Sequence, residues 1–303
     1  MSFDNPSTPL PPKAGHGPWY RELNRYHWFV FIVASLGWLF DTMDQQLFNL
    51  ARRPAIAELL RVSPGDPAGA AMIAEYAGYA TMIFMIGWAS GGVFFGILGD
   101  RIGRAKTMIF TILLYSAFTG LSVLSTSVWD FSLYRFLTGL GVGGQFSVGV
   151  ALVAETVPDR ARPYALGWLQ ALSAFGNMLA ALVGIGLGYL QETGVVASAW
   201  RMMFVVGALP AFLCIPIFRR LKEPEAWQAA KRKGGAHLGS ITDLFTDLRW
   251  RRNAIVGMLL AFSGVVGLWG IGFFSFDLLR SVLDKTDMSA GQKTWWTGMT
   301  SLL

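Results

Sequence analysis

The chain has 303 residues, of which 53% are apolar, 14% aromatic and only 15% charged, and its mean hydropathy is +0.44. Soluble domains carry about 25% charged residues, so this composition defines an integral membrane protein. The 35 glycines suit helices that pack closely in a bilayer. Cys214, the single cysteine, excludes an internal disulfide and a cysteine-based metal site. His16, His27 and His237 all lie outside the long apolar runs, so no metal and no cofactor is expected. The net charge of +6 is read as Lys and Arg gathered on cytoplasmic loops, not as a nucleic-acid surface.

In chain order, residues 1–27 form a polar tail with Pro6, Pro9, Pro11 and Pro12, and they lack the basic start and cleavage site of a signal peptide. A membrane span needs about 20 mostly apolar residues. Segments 28–50, 76–99, 107–129, 131–154, 163–191, 202–218 and 253–276 meet that length, and 294–303 reads as the start of an eighth span. Only Asp41, Asp44 and Arg135 bring charge into these runs. The expected organisation is a cytoplasmic tail (1–27), a six-helix bundle (28–218), a linker (219–252) and the start of a second bundle (253–303). Within the linker, Ile241, Leu244, Phe245 and Leu248 recur at helical spacing, which predicts a short helix on the inner membrane face.

Seventeen Lys and Arg fall on one side of the spans and seven on the other. The richer side is expected to be cytoplasmic, with the N-terminus inside a multi-pass protein of the plasma membrane. Gly139, Gly141 and Gly144 satisfy a dinucleotide fingerprint, but they sit in an apolar span with no strand before them, so they read as helix packing. The chain has no P-loop sequence, so uphill work by it alone needs an ion gradient.

Gly96-Ile-Leu-Gly99-Asp100-Arg101-Ile-Gly103-Arg104-Ala-Lys106 closes the second span. It closely resembles the signature between spans two and three of the major facilitator superfamily. Arg135-Phe-Leu-Thr-Gly139-Leu-Gly141 resembles the fourth span of that family, and Glu155 through Arg162 resembles the loop that follows. Glu223-Pro224-Glu225-Ala-Trp227 is similar to the motif after span six of sugar-porter-like members, with Lys222 and Ala226 in place of its first Pro and its Arg. Asp41-Thr-Met-Asp44 is similar to the Asp-x-x-Asp of the aromatic-acid and sialate proton symporters. The resemblance spans residues 28–303. It implies an all-α fold of two six-helix bundles, the first complete here, and a transporter rather than an enzyme.

The leading functional expectation is a proton-coupled symporter of a small organic acid, with a solute, protons and the bilayer as partners and no obligate protein partner. A sugar or polyol porter is the alternative, and a membrane solute sensor is the reading from another class. Asp41, Asp44 and Arg135 are the expected coupling site. At 1.5 Å per residue Asp41 lies about 20 Å into its span and Asp44 about 24 Å, nearly level with Arg135 in the outer half of the bilayer. Asp41, farther from Arg135, is the expected proton carrier, and Arg135 is expected to alternate between Asp44 and an anionic solute. Arg135, Gln145, Gln170 and Asn177 are the expected solute contacts, because polar groups within spans are costly unless used. Gly96, Asp100, Arg101, Gly103, Arg104, Glu155, Arg162 and Glu223 are expected to form a cytoplasmic gate of ion pairs.

Overall fold

A computed structural model describes residues 17–62, 66–232, 239–283, 285–288 and 290–300. The first sixteen residues of the tail, Lys233 and His237 in the linker, and the end of the eighth predicted span lie outside these. Among the described residues there is helix and turn but no strand.

Asn24 starts α1 (Arg25–Leu60): its side chain accepts from His27 N while the His27 ring accepts from Asn24 N. The helix runs through Pro54 and stops at Arg61, whose φ of 55° is left-handed. Asp66 caps α2 (Pro67–Ile102), with Pro67 in the first turn, where its missing N–H costs nothing. Gly103 then turns the chain into α3 (Arg104–Leu121) with φ 118°, a conformation other residues rarely adopt. A capping box of Ser127 and Asp130 begins α4 (Val128–Thr156), and α5 (Arg162–Glu192) follows a short loop. The last crossing of the bundle is assembled from α6 (Ala199–Gly207), a 3-10 turn at Leu209–Leu213 and α7 (Cys214–Arg220). Beyond it come α8 (Glu225–Arg232), α9 (Ile241–Thr246), α10 (Leu248–Leu283) and α11 (Ala290–Thr300).

Five of the described segments are long and apolar enough to cross a membrane: α2, α3 with its 3-10 extension, α4, α5 and the α6–α7 unit. α1 is not among them, because Asp41, Asp44, Gln45 and Gln46 lower its hydropathy. Three predicted boundaries are corrected. The third predicted span reaches 129, but the helix ends at Leu124 because Ser127 already caps the next one. The first stops at 50, which leaves Arg52 and Arg53 beyond the span, among the seven charges of the side opposite the cytoplasm. The helix instead continues to Leu60, and Arg52 is buried with its Nη1 donating to Thr81 Oγ at 2.8 Å. The sixth is broken at Pro210, which has no N–H for a continuous helical ladder.

Glycine decides how closely α2 and α4 approach. A Cβ at Gly143 would stand 2.0 Å from Trp88 O, and one at Gly139 would stand 2.3 Å from Phe84 O. From the other side, a Cβ at Gly91 would meet Leu140 O at 2.0 Å and one at Gly87 would meet Phe136 O at 2.2 Å. Backbone lies on backbone along this seam, the packing available where lipid gives no hydrophobic drive between helices. Two apolar cores fill the bundle. One surrounds Trp38, Met108, Tyr115 and Val148, the other Leu47, Phe48, Phe84 and Phe204. Apolar side chains such as Phe175, Leu182 and Val93 face outward, as a bilayer requires.

Candidate functional site

The two cores divide α1 between residues 38 and 43, and the buried charges lie at that junction. Asp41, Asp44 and Arg135 have no exposed surface. The structure brings two of them together: Arg135 Nη1 stands 3.7 Å from Asp44 Oδ2, an ion pair longer than a hydrogen bond. Other groups satisfy part of each side and leave Asp44 Oδ2 and Arg135 Nε and Nη1 without a hydrogen bond. Asp44 Oδ1 accepts from Thr119 Oγ1 at 3.0 Å, and Arg135 Nη2 donates to Ser122 Oγ at 2.6 Å and to Phe118 O at 3.4 Å. The guanidinium carbon lies 4.5 Å from the Phe204 ring centre, 5.7 Å from that of Phe48 and 5.9 Å from that of Phe131. Aromatic faces attract a cation most where water is excluded. Gly207 closes the pocket over Asp44, since a Cβ there would stand 2.9 Å from Oδ1. Helices α1, α3, α4 and α6 therefore meet on one ion pair.

Asp41 is treated differently. Both of its oxygens are enclosed and neither accepts a hydrogen bond. The Tyr115 hydroxyl, equally buried, is the side-chain donor that interacts with it, outside the geometry of a formed hydrogen bond. The polar stripe continues along the same face of α1. Gln45, Asn49 and Arg52 follow Asp41 at intervals of four, four and three residues, and all three are buried. The Gln45 amide has no partner, and Asn49 Nδ2 donates to Gln46 Oε1 at 2.7 Å. Sequence reasoning passed over Gln45, Asn49 and Arg52, although that spacing was there to find. Thr119, Ser122, Tyr115 and Phe204 carried no such signal, because only the packing of α3 and α6 brings them to Asp44 and Arg135.

The expected solute contacts do not gather around this pair. Gln145 is buried against Gly37 of α1, with its Oε1 unpaired. On α5 Gln170 is exposed and Asn177 half-buried, and no hydrogen bond among the described residues joins either to Arg135.

At the opposite end of α2 the motif residues form a compact cluster. Arg104 contacts Asp100 and donates from Nη2 to Glu155 Oε1 at 2.8 Å and from Nε at 3.2 Å. Glu223 enters by a route not expected from sequence. It makes no ion pair among the described residues; its carboxylate accepts from Ala105 N at 3.1 Å and Lys106 N at 3.3 Å, at the start of α3, where helix amides lack internal partners. A side chain at Gly103 would occupy the space of that carboxylate, as a Cβ would lie 2.3 Å from Oε1. Trp227 Nε1 donates to Asp100 O at 2.6 Å, so α8 ties both ends of the α2–α3 turn. Three expected members stand apart from this cluster. Arg101 is exposed and makes no ion pair among the described residues, and Arg162 pairs with Asp159 one turn away at 2.6 Å. Gly96 is no tight contact either; a Cβ there would meet only Ser147 Oγ at 3.8 Å.

A bundle of apolar helices around a sealed charge pair, with a basic turn latched at one end, is the architecture of a membrane transporter half. The sequence profile of the Major Facilitator Superfamily matches residues 31–301, and the chain belongs to that family. Among its relatives, the probable 4-methylmuconolactone transporter of Cupriavidus pinatubonensis is 28% identical over 274 residues, 90% of this chain and 59% of that one. The sialic acid transporter NanX of Escherichia coli is 28% identical over 215 residues, 71% of this chain and 49% of that one. The proton:xylose symporter XylE bound to 6-bromo-6-deoxy-D-glucose superposes with a TM-score of 0.67 at 18% identity, covering 91% of this chain and 66% of that one. The chain spans about half the length of the relatives it matches.

Proposed function

We propose that this chain supplies the first bundle, and the start of the second, of a secondary transporter that moves a small organic acid together with protons by alternating access. In this reading the protein lies in the cytoplasmic membrane with its N-terminus inside. The observation that carries it is Asp41, a wholly enclosed carboxyl group that accepts no hydrogen bond and has only the Tyr115 hydroxyl as an interacting side-chain donor, one turn from a sealed Asp44–Arg135 pair. Asp44 is committed to Thr119 and Arg135. Asp41 has no ion pair and no formed hydrogen bond among the described residues to break when it gains or loses a proton. Protonation there changes the charge balance felt by Arg135, which is then released toward an anionic solute. The names of the relatives, a muconolactone and a sialic acid transporter, support an organic acid as cargo.

The cluster of Asp100, Arg104, Glu155 and Glu223 acts in the same reading as the cytoplasmic latch. Single exposed pairs contribute about 0–1 kcal/mol, so the cluster works as a unit with the α3 amides.

The test is uptake by cells expressing the whole reading frame, with Asp41→Asn beside the parent. The variant is expected to lose accumulation driven by a pH gradient and to keep counterflow exchange. Proton-driven uptake with an unchanged pH profile would remove Asp41 from the coupling role. Running the assay with a panel of organic acids and neutral sugars separates an acid symporter from a sugar or polyol porter, and counterflow itself excludes a sensor.

A further inference from the structure

Pro54 lies inside α1, six residues before the helix ends. Proline has no backbone N–H, so the carbonyl four residues earlier, Leu50 O, loses its helical donor. That carbonyl is met from outside the bundle: Arg280 Nη2, in the last turn of α10, donates to Leu50 O at 3.3 Å. α10 is the first long helix after the linker, so this bond joins the two parts of the chain that alternating access must move apart. It lies on the wall of a cavity of about 240 Å3 between α1, α5, α6, α10 and α11, whose lining includes Ala51, Pro54, Trp200, Met203, Arg280 and Thr297. The site is at the end of α1 opposite the Asp100–Arg104 cluster, and it shares no residue with the buried charges.

We propose that Pro54 and Arg280 form a latch, in which the carbonyl freed by the proline holds the end of α10 on the end of α1 and closes that mouth of the transporter. The proline sets the device as much as the arginine does. A helix with its ladder intact would offer Arg280 a carbonyl already in use, whereas an orphan carbonyl gains a full partner from a guanidinium. A single hydrogen bond of this kind is strong enough to bias two states and weak enough to be broken in each cycle.

The latch rests on membership in the transporter family and on neither the acid nor the proton assignment. Its test therefore uses neither solute nor gradient. The whole reading frame is placed in lipid nanodiscs with Cys214→Ala, and Ala51→Cys on the cavity wall serves as the reporter. The rate of its reaction with a small maleimide reads the opening of this mouth. Arg280→Ala is expected to raise that rate roughly threefold or more. Pro54→Ala, which returns an N–H to Leu50 O and leaves Arg280 untouched, is expected to raise it similarly. The double variant is expected to react no faster than Arg280→Ala alone, because Pro54→Ala acts only through a bond that Arg280→Ala has already removed. Ser281→Ala, whose hydroxyl donates only within its own helix, is the unchanged control. An unchanged rate in Pro54→Ala, or rates that multiply in the double variant, would overturn the latch. Should Arg280→Ala fail to fold, Pro54→Ala alone decides.

Discussion

Arg135 gathers contacts from four helices yet stands 3.7 Å from its nearest carboxylate, so Ser122, Phe118 O and three aromatic faces offset part of its burial cost while Nε and Nη1 stay without a hydrogen bond. Removing one partner of a buried pair leaves the other charge uncompensated, at a cost of about 3–5 kcal/mol. Arg135→Ala is therefore expected to lower thermal stability by that order, measured on purified protein, while Asp41→Asn, which breaks no contact, is expected to leave stability nearly unchanged. Glu58, beyond the predicted span at the far end of α1, offers a pH test outside the membrane. Burial alone would raise its carboxyl group, but Trp200 Nε1 at 2.7 Å, Arg201 Nη2 at 3.1 Å and Ser198 Oγ at 3.3 Å hold it below its ordinary value. A depressed carboxylate stabilises the fold above its unfolded pKa, about 4.3, and that contribution fades as pH falls through the folded value. Glu58→Gln is expected to be less stable than the parent at neutral pH and to lose less on acidification, read from thermal unfolding between pH 7 and 3.

At the scale of helices, the α2–α4 seam and the α2–α3 turn are set by different forces. The seam depends on space. Gly143→Val would place side-chain atoms where Trp88 O now lies at 2.0 Å from even an ideal Cβ, so α2 and α4 must separate. Such a variant is expected to express poorly and to run as aggregate on size exclusion, whereas Gly167→Ala, with nothing within 4 Å, is expected to behave as the parent. The turn depends on charge. Glu223 satisfies two amides at the start of α3, and Glu223→Ala is expected to cost about 0.5–2 kcal/mol, as loss of an N-terminal cap does. Because the same carboxylate ties the linker to the bundle, that variant is also expected to raise labelling of cysteines placed near Asp100. Unchanged labelling would confine Glu223 to a capping role.

For the whole molecule, transport by this fold needs a cavity between two bundles. Helices α10 and α11, which the proposed reading assigns to the second bundle, touch the first: Thr297 of α11 is buried, and Arg280 of α10 reaches Leu50. In the proposed reading, where transport needs walls from two complete bundles, residues 1–303 purified into liposomes are expected to insert and fold but not to accumulate solute. Robust accumulation by these residues alone would show that the first bundle suffices.

The apolar runs, the glycine-rich fourth span and the Gly99-to-Lys106 turn were legible in the sequence because membrane spans and the family motif are local patterns, read from neighbouring residues. So was the pairing of Asp44 with Arg135, since helical rise alone puts them at one depth in a bilayer. The partners that make that pair habitable were not. Thr119, Ser122 and Phe204 reach it only after α3 and α6 have packed, and no spacing in the chain records that meeting. The same limit explains Glu223, expected in an ion pair and found on helix amides, because a backbone donor has no letter in a sequence. It also explains Arg52, which lies beyond the predicted span and is buried on α1 with Thr81 of another helix as its acceptor. Local chemistry determined which segments cross the membrane, and tertiary packing alone decided which polar group answers which, because a buried charge settles on whatever donors the neighbouring helices bring to it.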